Sequence, residues 1–401
     1  MPGLLAITHA AVVGRDRILE DHTVVCEGDR ITEIFPSQST GGLAQGLLSR
    51  PDVNVTDAKG MYLVPGFIDL HIHGLAGKLA SNGPDDLAAM CRELPRFGVT
   101  AFLPTVTPNE EECKTLANLA GAKTPCAEVL GFFLEGHFLK LTGAIRGMKS
   151  EYTPERVGAL KNALGNKRAV FGISPEIPGI LSLLPLMTEG GVPAFITHTM
   201  ASYEETEKAI AAGARHATHF YDVFPYPGEQ EPGVRGCGAV EAVMANPGAT
   251  VDFILDGEHV HPGAVKMALA CKGMDKVCLI TDANLNAGME SGVYRGISGT
   301  DVIMEYKGGP AREYHEGGKP GGLTGSGLTL DLALKNAVEL LGLSLPAAAA
   351  LVSHNAAKVL GLEHERGVIE KGYRADFSIL DNDFSIRACY IAGKLNFKGD
   401  D

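Results

Sequence analysis

Leu63-Val64-Pro65-Gly66-Phe67-Ile68-Asp69-Leu70-His71-Ile72-His73-Gly74 is a nearly continuous apolar run that closes on two histidines and a glycine. Such a run predicts a strand over Leu63–His73 buried on both faces, as in a parallel sheet covered by helices. Side chains alternate along a strand, so His71 and His73 emerge on one side of it. Alone, the pair reads equally well as two satisfied loop histidines. Here it ends an apolar strand at a tight turn, and that context favours a functional reading.

The same pattern repeats downstream. Apolar runs at Val99–Val106, Glu128–Glu135, Ala169–Glu176, Pro193–Thr199, His216–Tyr221, Thr250–Leu255 and Lys276–Asp282 bring the strand count to eight. Stretches of helical period lie near 84–97, 108–121, 153–165, 178–190, 202–213, 237–246, 262–273 and 328–342. Ser202-Tyr203-Glu204-Glu205 reads as a capping box, and Thr153-Pro154 puts proline at a first helical position. Eight strand–helix units in residues 62–359 predict an α/β fold, a (β/α)₈ TIM-like barrel. A doubly wound open sheet is the competing architecture. Residues 1–61 alternate β-branched and polar positions between turns, and residues 360–401 return to short strands. The two ends are expected to form one small β-sandwich domain.

The chain has 401 residues with 35 Lys+Arg against 48 Asp+Glu, a formal charge of −13. That excess repels phosphate backbones and anionic lipid, so neither nucleic acid nor membrane is expected as a partner. With 45% hydrophobic and 21% charged residues, the composition is that of an ordinary globular protein. Eight scattered cysteines without a CxxC pair read as reduced thiols in a cytoplasmic protein. The N-terminal apolar run has no basic residue before it and reads as a first strand pair rather than a signal peptide. No stretch of membrane-spanning length is apolar throughout.

Function in such a barrel sits at the C-terminal ends of the strands. His71, His73, Glu135, His198, His219 and Asp282 fall there. Imidazoles and carboxylates in that number suit Zn²⁺ or Fe²⁺. Glu135 is thrust out of the apolar Phe132-Phe133-Leu134, and burying its charge without a cation or donor is costly. His216 and His219 face opposite ways by alternation, and His219 lies at the strand end. Asp282 ends the eighth strand, where a carboxylate beside an activated water can act as a general base and then a general acid. Asp256 and His259, just past the seventh strand, read either as substrate contacts or as loop-ordering groups.

Taken in order, Pro65-Gly-Phe-Ile-Asp-Leu-His71-Ile-His73-Gly, Leu134-Glu135-Gly136, Thr197-His198, Ala217-Thr-His219-Phe-Tyr221, Leu255-Asp-Gly-Glu-His259 and Leu279-Ile-Thr-Asp282-Ala resemble the amidohydrolase superfamily. More narrowly they are similar to its N-acetylglucosamine-6-phosphate deacetylase branch. Glu231-Pro-Gly233, Leu323-Thr-Gly-Ser326, His354-Asn-Ala-Ala-Lys358 and Ala375-Asp-Phe377 extend the likeness to the C-terminus. The resemblance implies that Glu135, His198 and His219 hold a principal divalent ion and that His71 and His73 can bind a second, for one or two ions (zinc or iron). It implies Asp282 as catalytic acid–base, a small-molecule N-acyl amino sugar as substrate, acetate and a free amine as products, and a homodimer. Tyr221, Asp222, Gln230, His259, Arg146 and Ser326 are the expected substrate contacts.

The chain departs from that branch at the phosphate. Asp222 stands where an asparagine is usual, and Gln230 where an arginine precedes Glu-Pro-Gly. Arg binds phosphate with bidentate charged contacts and Asp repels it. The deacetylase chemistry is therefore expected to be retained with altered selection at the phosphate. Arg146, Lys140 and Arg235 are candidates for a relocated anion site or are solvated surface charges. Deacylation of an unphosphorylated N-acyl amino sugar or of an N-acyl amino acid, and a non-catalytic amidohydrolase-like scaffold, are the alternatives.

Overall fold

The computed structural model describes residues 3–38, 46, 48, 50–145, 151–228, 231–295, 300–315 and 317–399. Eight parallel strands form the barrel: β1 Phe67–Ile72, β2 Val99–Val106, β3 Phe132–Phe138, β4 Ala169–Ile173, β5 Phe195–Ile196, β6 His216–Ala217, β7 Thr250–Ile254 and β8 Val277–Ile280. Each pairs with the next in parallel. A bridge between Ile72 and Ala283 joins the end of β8 to β1. Buried Phe133, Phe171, Phe195 and Phe253 belong to the same core as the helices around the barrel.

The helices follow the predicted order: α1 Pro84–Glu93, α2 Glu112–Ala120, α3 Pro154–Leu164, α4 Ile180–Met187, α5 Tyr203–Ala211, α6 Ala239–Ala245, α7 Pro262–Lys272 and α8 Leu330–Glu339. Ser202 and Glu205 cap α5 reciprocally, and Thr153 caps α3 with Pro154 at its first turn. Each cap satisfies backbone donors that the first helical turn leaves open. Two further helices, α9 Leu345–Val352 and α10 His354–Val359, follow α8. The Asn355 amide of α10 donates to the Val277 carbonyl at the start of β8.

Both ends of the chain build one eight-stranded sheet with a core of its own, including Ile7, Val24, Leu63, Phe377 and Ile379. Leu4–Val13 lies centrally, with Ile18–Glu27 and Arg30–Pro36 to one side and Tyr62–Pro65, Phe377–Leu380, Ile386–Ile391 and Lys394–Lys398 to the other, and the eighth strand, Val53–Asp57, also pairs with it in parallel. The strand expected over Leu63–His73 is therefore two strands. Tyr62–Pro65 pairs with Leu4–Val13 and Phe377–Leu380, whereas Phe67–Ile72 is β1 of the barrel. The break falls at Gly66, where a Cβ would lie 2.4 Å from Thr100 Oγ1. Only glycine lets the chain turn from one sheet into the other against that side chain.

Two further differences concern the barrel. The strands expected over Pro193–Thr199 and His216–Tyr221 keep ladder pairing only at Phe195–Ile196 and His216–Ala217. The chain leaves the sheet there as it approaches the site. Between β8 and α8 stands a four-stranded antiparallel sheet that the sequence reading did not foresee: Gly292–Arg295, Asp301–Met304, Pro310–Glu313 and Leu323–Ser326. Each strand has only four residues and the segment is rich in glycine, so no periodicity develops. Among the described residues no helix is long and apolar enough to cross a membrane.

Candidate metal centre

The six residues singled out at strand ends converge on one mouth of the barrel. Glu135, within β3, stands between two pairs of imidazoles. Its Oε1 lies 3.3 Å from His198 Nε2 and 3.2 Å from His219 Nε2. Its Oε2 lies 3.2 Å from His73 Nε2 and 3.5 Å from His71 Nε2. Asp282 Oδ1 is 3.3 Å from the Nε2 of both His71 and His73. Ligand atoms of His71, Glu135 and His219, and again of His71, His73 and Asp282, lie within 4.8 Å of one another. Imidazole nitrogens and carboxylate oxygens turned inward this way are the donors that zinc and iron take, so the residues fit a divalent metal.

Local backbone geometry aims these side chains. His198, His219 and Asp282 have φ of 48°, 35° and 44°, left-handed values uncommon for residues with a Cβ. Each costs ~1–3 kcal/mol and persists only where the surroundings enforce it. Polar groups behind the site supply that enforcement. Ser174 Oγ donates to the His198 carbonyl at 2.9 Å. Asp69 accepts the His71 N–H at 3.2 Å and the Thr281 hydroxyl at 2.7 Å, tying β1 to the end of β8. The His71 ring is held through Nδ1 by Thr218 Oγ1 at 3.1 Å, and the His219 ring through Nδ1 by the Asp222 carbonyl at 3.2 Å. Both rings thus present Nε2 to Glu135.

Burial alone would raise the Glu135 and Asp282 carboxyls. For Glu135 the charge of His71 and hydrogen bonds from His198 and His219 prevail and hold it well below the usual carboxylate range. For Asp282 the charge of His71 and the hydrogen bond from His73 prevail, bringing it to about 2. Burial opposes charge on the histidines too. Hydrogen bonds to Asp282 and Glu135 nevertheless raise His73 to about 9, and contact with Glu135 raises His219 to about 10. The carboxylates are thus ionised at neutral pH.

A cavity of ≈ 270 Å³ opens above the centre. His73, Glu135, His198, His219 and Asp282 line it, joined by the expected contacts Asp222 and His259. His259 Nδ1 is held 2.6 Å from Asp256 Oδ2, while Asp256 Oδ1 accepts the N–H groups of Glu258 and His259 at 2.9 Å. Burial would lower the His259 pKa, but the Asp256 hydrogen bond and charge raise it. Asp256 therefore orders the loop and orients His259.

Two expected contacts stand apart from this cavity. Ser326 is fully buried and its hydroxyl donates to the Thr281 carbonyl at 2.5 Å, bracing the chain beside Asp282. The Tyr221 ring packs against Phe220 and Phe253, and burial pushes its phenol up to about 12. Strand alternation does not carry past His219, because the backbone there is left-handed. Arg146 and Gln230 lie outside the described residues. Arg235 pairs with Glu241 at 2.8 Å, and neither it nor Lys140 lines the cavity. The sequence reading missed Thr107, Gly143, Asn284 and Thr324 in the lining. Asn284 was not legible from alternation, because the left-handed backbone at Asp282 breaks the strand pattern before it; its amide donates to the Thr324 carbonyl at 2.8 Å.

Comparison with known proteins bears on this site. An N-acetylglucosamine-6-phosphate deacetylase of Vibrio furnissii is 32% identical over 348 residues, covering 84% of this chain and 83% of the relative. An N-acetylgalactosamine-6-phosphate deacetylase of Escherichia coli O157:H7 is 30% identical over 357 residues, covering 86% and 90%. The crystal structure of N-acetylglucosamine-6-phosphate deacetylase from Pasteurella multocida superposes with a TM-score of 0.83 at 25% identity, covering 98% of this chain and 99% of that one. Residues 62–396 match the amidohydrolase family, and with these relatives they establish that the chain belongs to it.

Proposed function

We propose that this chain hydrolyses the acetamide of an N-acetyl amino sugar 6-phosphate, the type of substrate its relatives are named for, releasing acetate and the free amine. The observation that supports this most is the Glu135 carboxylate, with one oxygen toward His198 and His219, the other toward His71 and His73, and Asp282 beside it at the floor of a sugar-sized cavity. In this reading Glu135, His198 and His219 would hold one divalent ion, and His71 and His73, with Asp282 beside them, would hold a second. Zinc and iron both suit the donors. A metal bound there would supply a Lewis acid for the amide carbonyl and would lower the pKa of a water beside it.

The chain's own residues carry out the rest. Asp282, ionised at neutral pH, takes the proton of the attacking water and later gives it to the leaving nitrogen. His259, oriented and kept basic by Asp256, turns its Nε2 to the substrate carbonyl and donates to the oxygen as negative charge grows there. The amine leaves protonated, and acetate follows. The enzyme is read as a cytoplasmic homodimer, which light scattering and cell fractionation test.

A second reading rests on the cavity wall. Asp222 lines the substrate space, and the described lining residues include no Lys or Arg. That wall favours a hydroxyl over a phosphate, and hence an unphosphorylated N-acetyl amino sugar. Acetate release by the metal-loaded protein from N-acetylglucosamine, its 6-phosphate, the N-acetylgalactosamine pair and N-acetyl amino acids decides. A kcat/KM at least tenfold higher for the phosphorylated sugars upholds the first reading. Preference for the free sugars upholds the second, and turnover of amino acids alone overturns both.

A further inference from the structure

Behind the cavity floor lies a buried polar pair that the chemistry above does not use. His216, on β6, and Asp252, on β7, are both fully excluded from solvent, with His216 Nε2 2.8 Å from Asp252 Oδ2. His216 Nδ1 lies 2.7 Å from Thr250 Oγ1, so both ring nitrogens are engaged. The second carboxylate oxygen, Asp252 Oδ1, accepts the backbone N–H of His219 at 2.6 Å. Those atoms meet at a strained point. His219 has the smallest positive φ of the three left-handed site residues, 35°, and its Nε2 lies 3.2 Å from Glu135 Oε1. Were the backbone to relax into the ordinary extended region, the imidazole would swing away from Glu135.

Hydrophobic packing does not explain the pair, because a buried His–Asp couple is costly to desolvate and apolar residues of similar volume would fill the space at least as well. Its position points elsewhere. Asp69 holds both His71 and Thr281, and Ser174 holds His198, whereas the site contact of Asp252 is with His219.

We infer that His216 and Asp252 form a positioning pair for the His198–His219 half of the metal centre: Asp252 clamps the His219 backbone in its left-handed turn, and His216 fixes the rotamer of Asp252. The inference rests on the reading of Glu135, His198 and His219 as metal ligands. It assigns neither residue to contact with substrate or metal.

The test is Co²⁺ uptake by the full-length, chelator-stripped protein, followed by visible absorption and equilibrium dialysis. A His198→Asn variant identifies the signal of that half, and a Glu135→Gln variant controls for the centre as a whole. In Asp252→Ala the His198–His219 ion is expected to bind 10- to 100-fold more weakly, the range for lost supporting partners. The ion at His71–His73 should stay within threefold, and the activity lost should appear in kcat rather than KM. Asp252→Asn keeps an oxygen for the His219 N–H and is expected to restore affinity to within about threefold. Unchanged binding in Asp252→Ala, or an equal loss at both halves in a folded protein, overturns the inference. Should Asp252→Ala fail to fold, His216→Gln decides. A several-fold loss confined to the same half supports the pair, and wild-type affinity overturns it. Absence of Co²⁺ uptake by the wild type, or uptake unaffected by Glu135→Gln, overturns the ligand reading and the inference with it.

Discussion

Gly143 occupies a point where no other residue fits beside His198. A Cβ there would lie 2.6 Å from His198 Cε1, on a backbone with φ of +51°. Gly143→Ala is expected to push the imidazole off Glu135 and weaken metal binding tenfold or more, measured by dialysis against Zn²⁺. Asp282→Asn is expected to retain metal at His198 and His219 and to lose turnover by ~10²–10⁴, the contribution of a positioned acid–base. Near-normal activity would remove Asp282 from that role. The charges of the site also make a pH prediction. In the metal-free protein His73 and His219 are raised from 6.5 to about 9 and about 10, so they carry protons at neutral pH. Their ion pairing with Glu135 and Asp282 stabilises the fold fully below pH 6.5 and is lost as the pH climbs through those two values. Metal must displace these protons, so uptake at pH 7 should release them and tighten as the pH rises. Calorimetry in buffers of different ionisation heat counts the protons, and thermal denaturation of the stripped protein between pH 6 and 10 follows the stability.

At the scale of elements, the four-stranded sheet after β8 reaches the active-site loop that carries His259. Glu258, next to His259, accepts from Tyr306 Oη at 2.5 Å and from Arg312 Nη2 at 2.7 Å. Both partners lie in the segment from Asp301–Met304 to Pro310–Glu313. Arg312→Ala is expected to loosen that loop and raise KM about three- to tenfold with little change in kcat, as steady-state kinetics would show. The pair is partly exposed, and such pairs contribute ~0–1 kcal/mol, so thermal stability should hardly move. This sheet was not legible beforehand because strands of four residues carry too few alternations to register. Ser326 was misplaced for a related reason. Its motif was visible, but the direction of its hydroxyl depends on a strand pairing that brings it under Thr281.

Across the whole molecule, a charge network with buried Arg366 and Asp376 at its centre joins the barrel to the terminal sheet. Arg366 reaches Glu128 at 2.9 Å and Asp376 at 3.8 Å, while Arg374 lies 3.0 Å from Asp376. Burial raises the Asp376 carboxyl, and the two guanidiniums offset that only in part. Arg366→Met leaves Asp376 with one fewer cation in a desolvated place. It is expected to cost ~3–5 kcal/mol of stability by denaturant titration, with kcat unchanged well below the transition. The alternation of apolar runs with helical stretches was enough to predict the barrel, because parallel strands must be buried on both faces and their crossovers must be amphipathic. Placement at strand ends was enough to nominate His71, His73, Glu135, His198, His219 and Asp282, since period-two geometry is local. Other features depended on contacts between residues far apart in the chain. Glu135 stands between two histidine pairs because four strands meet at one mouth, and Tyr62–Pro65 belongs to the terminal sheet because Phe377–Leu380 pairs with it. Asp252 meets the His219 backbone because neighbouring strands bring together residues 33 apart. Local pattern determined which residues could serve, and long-range packing decided which of them face one another.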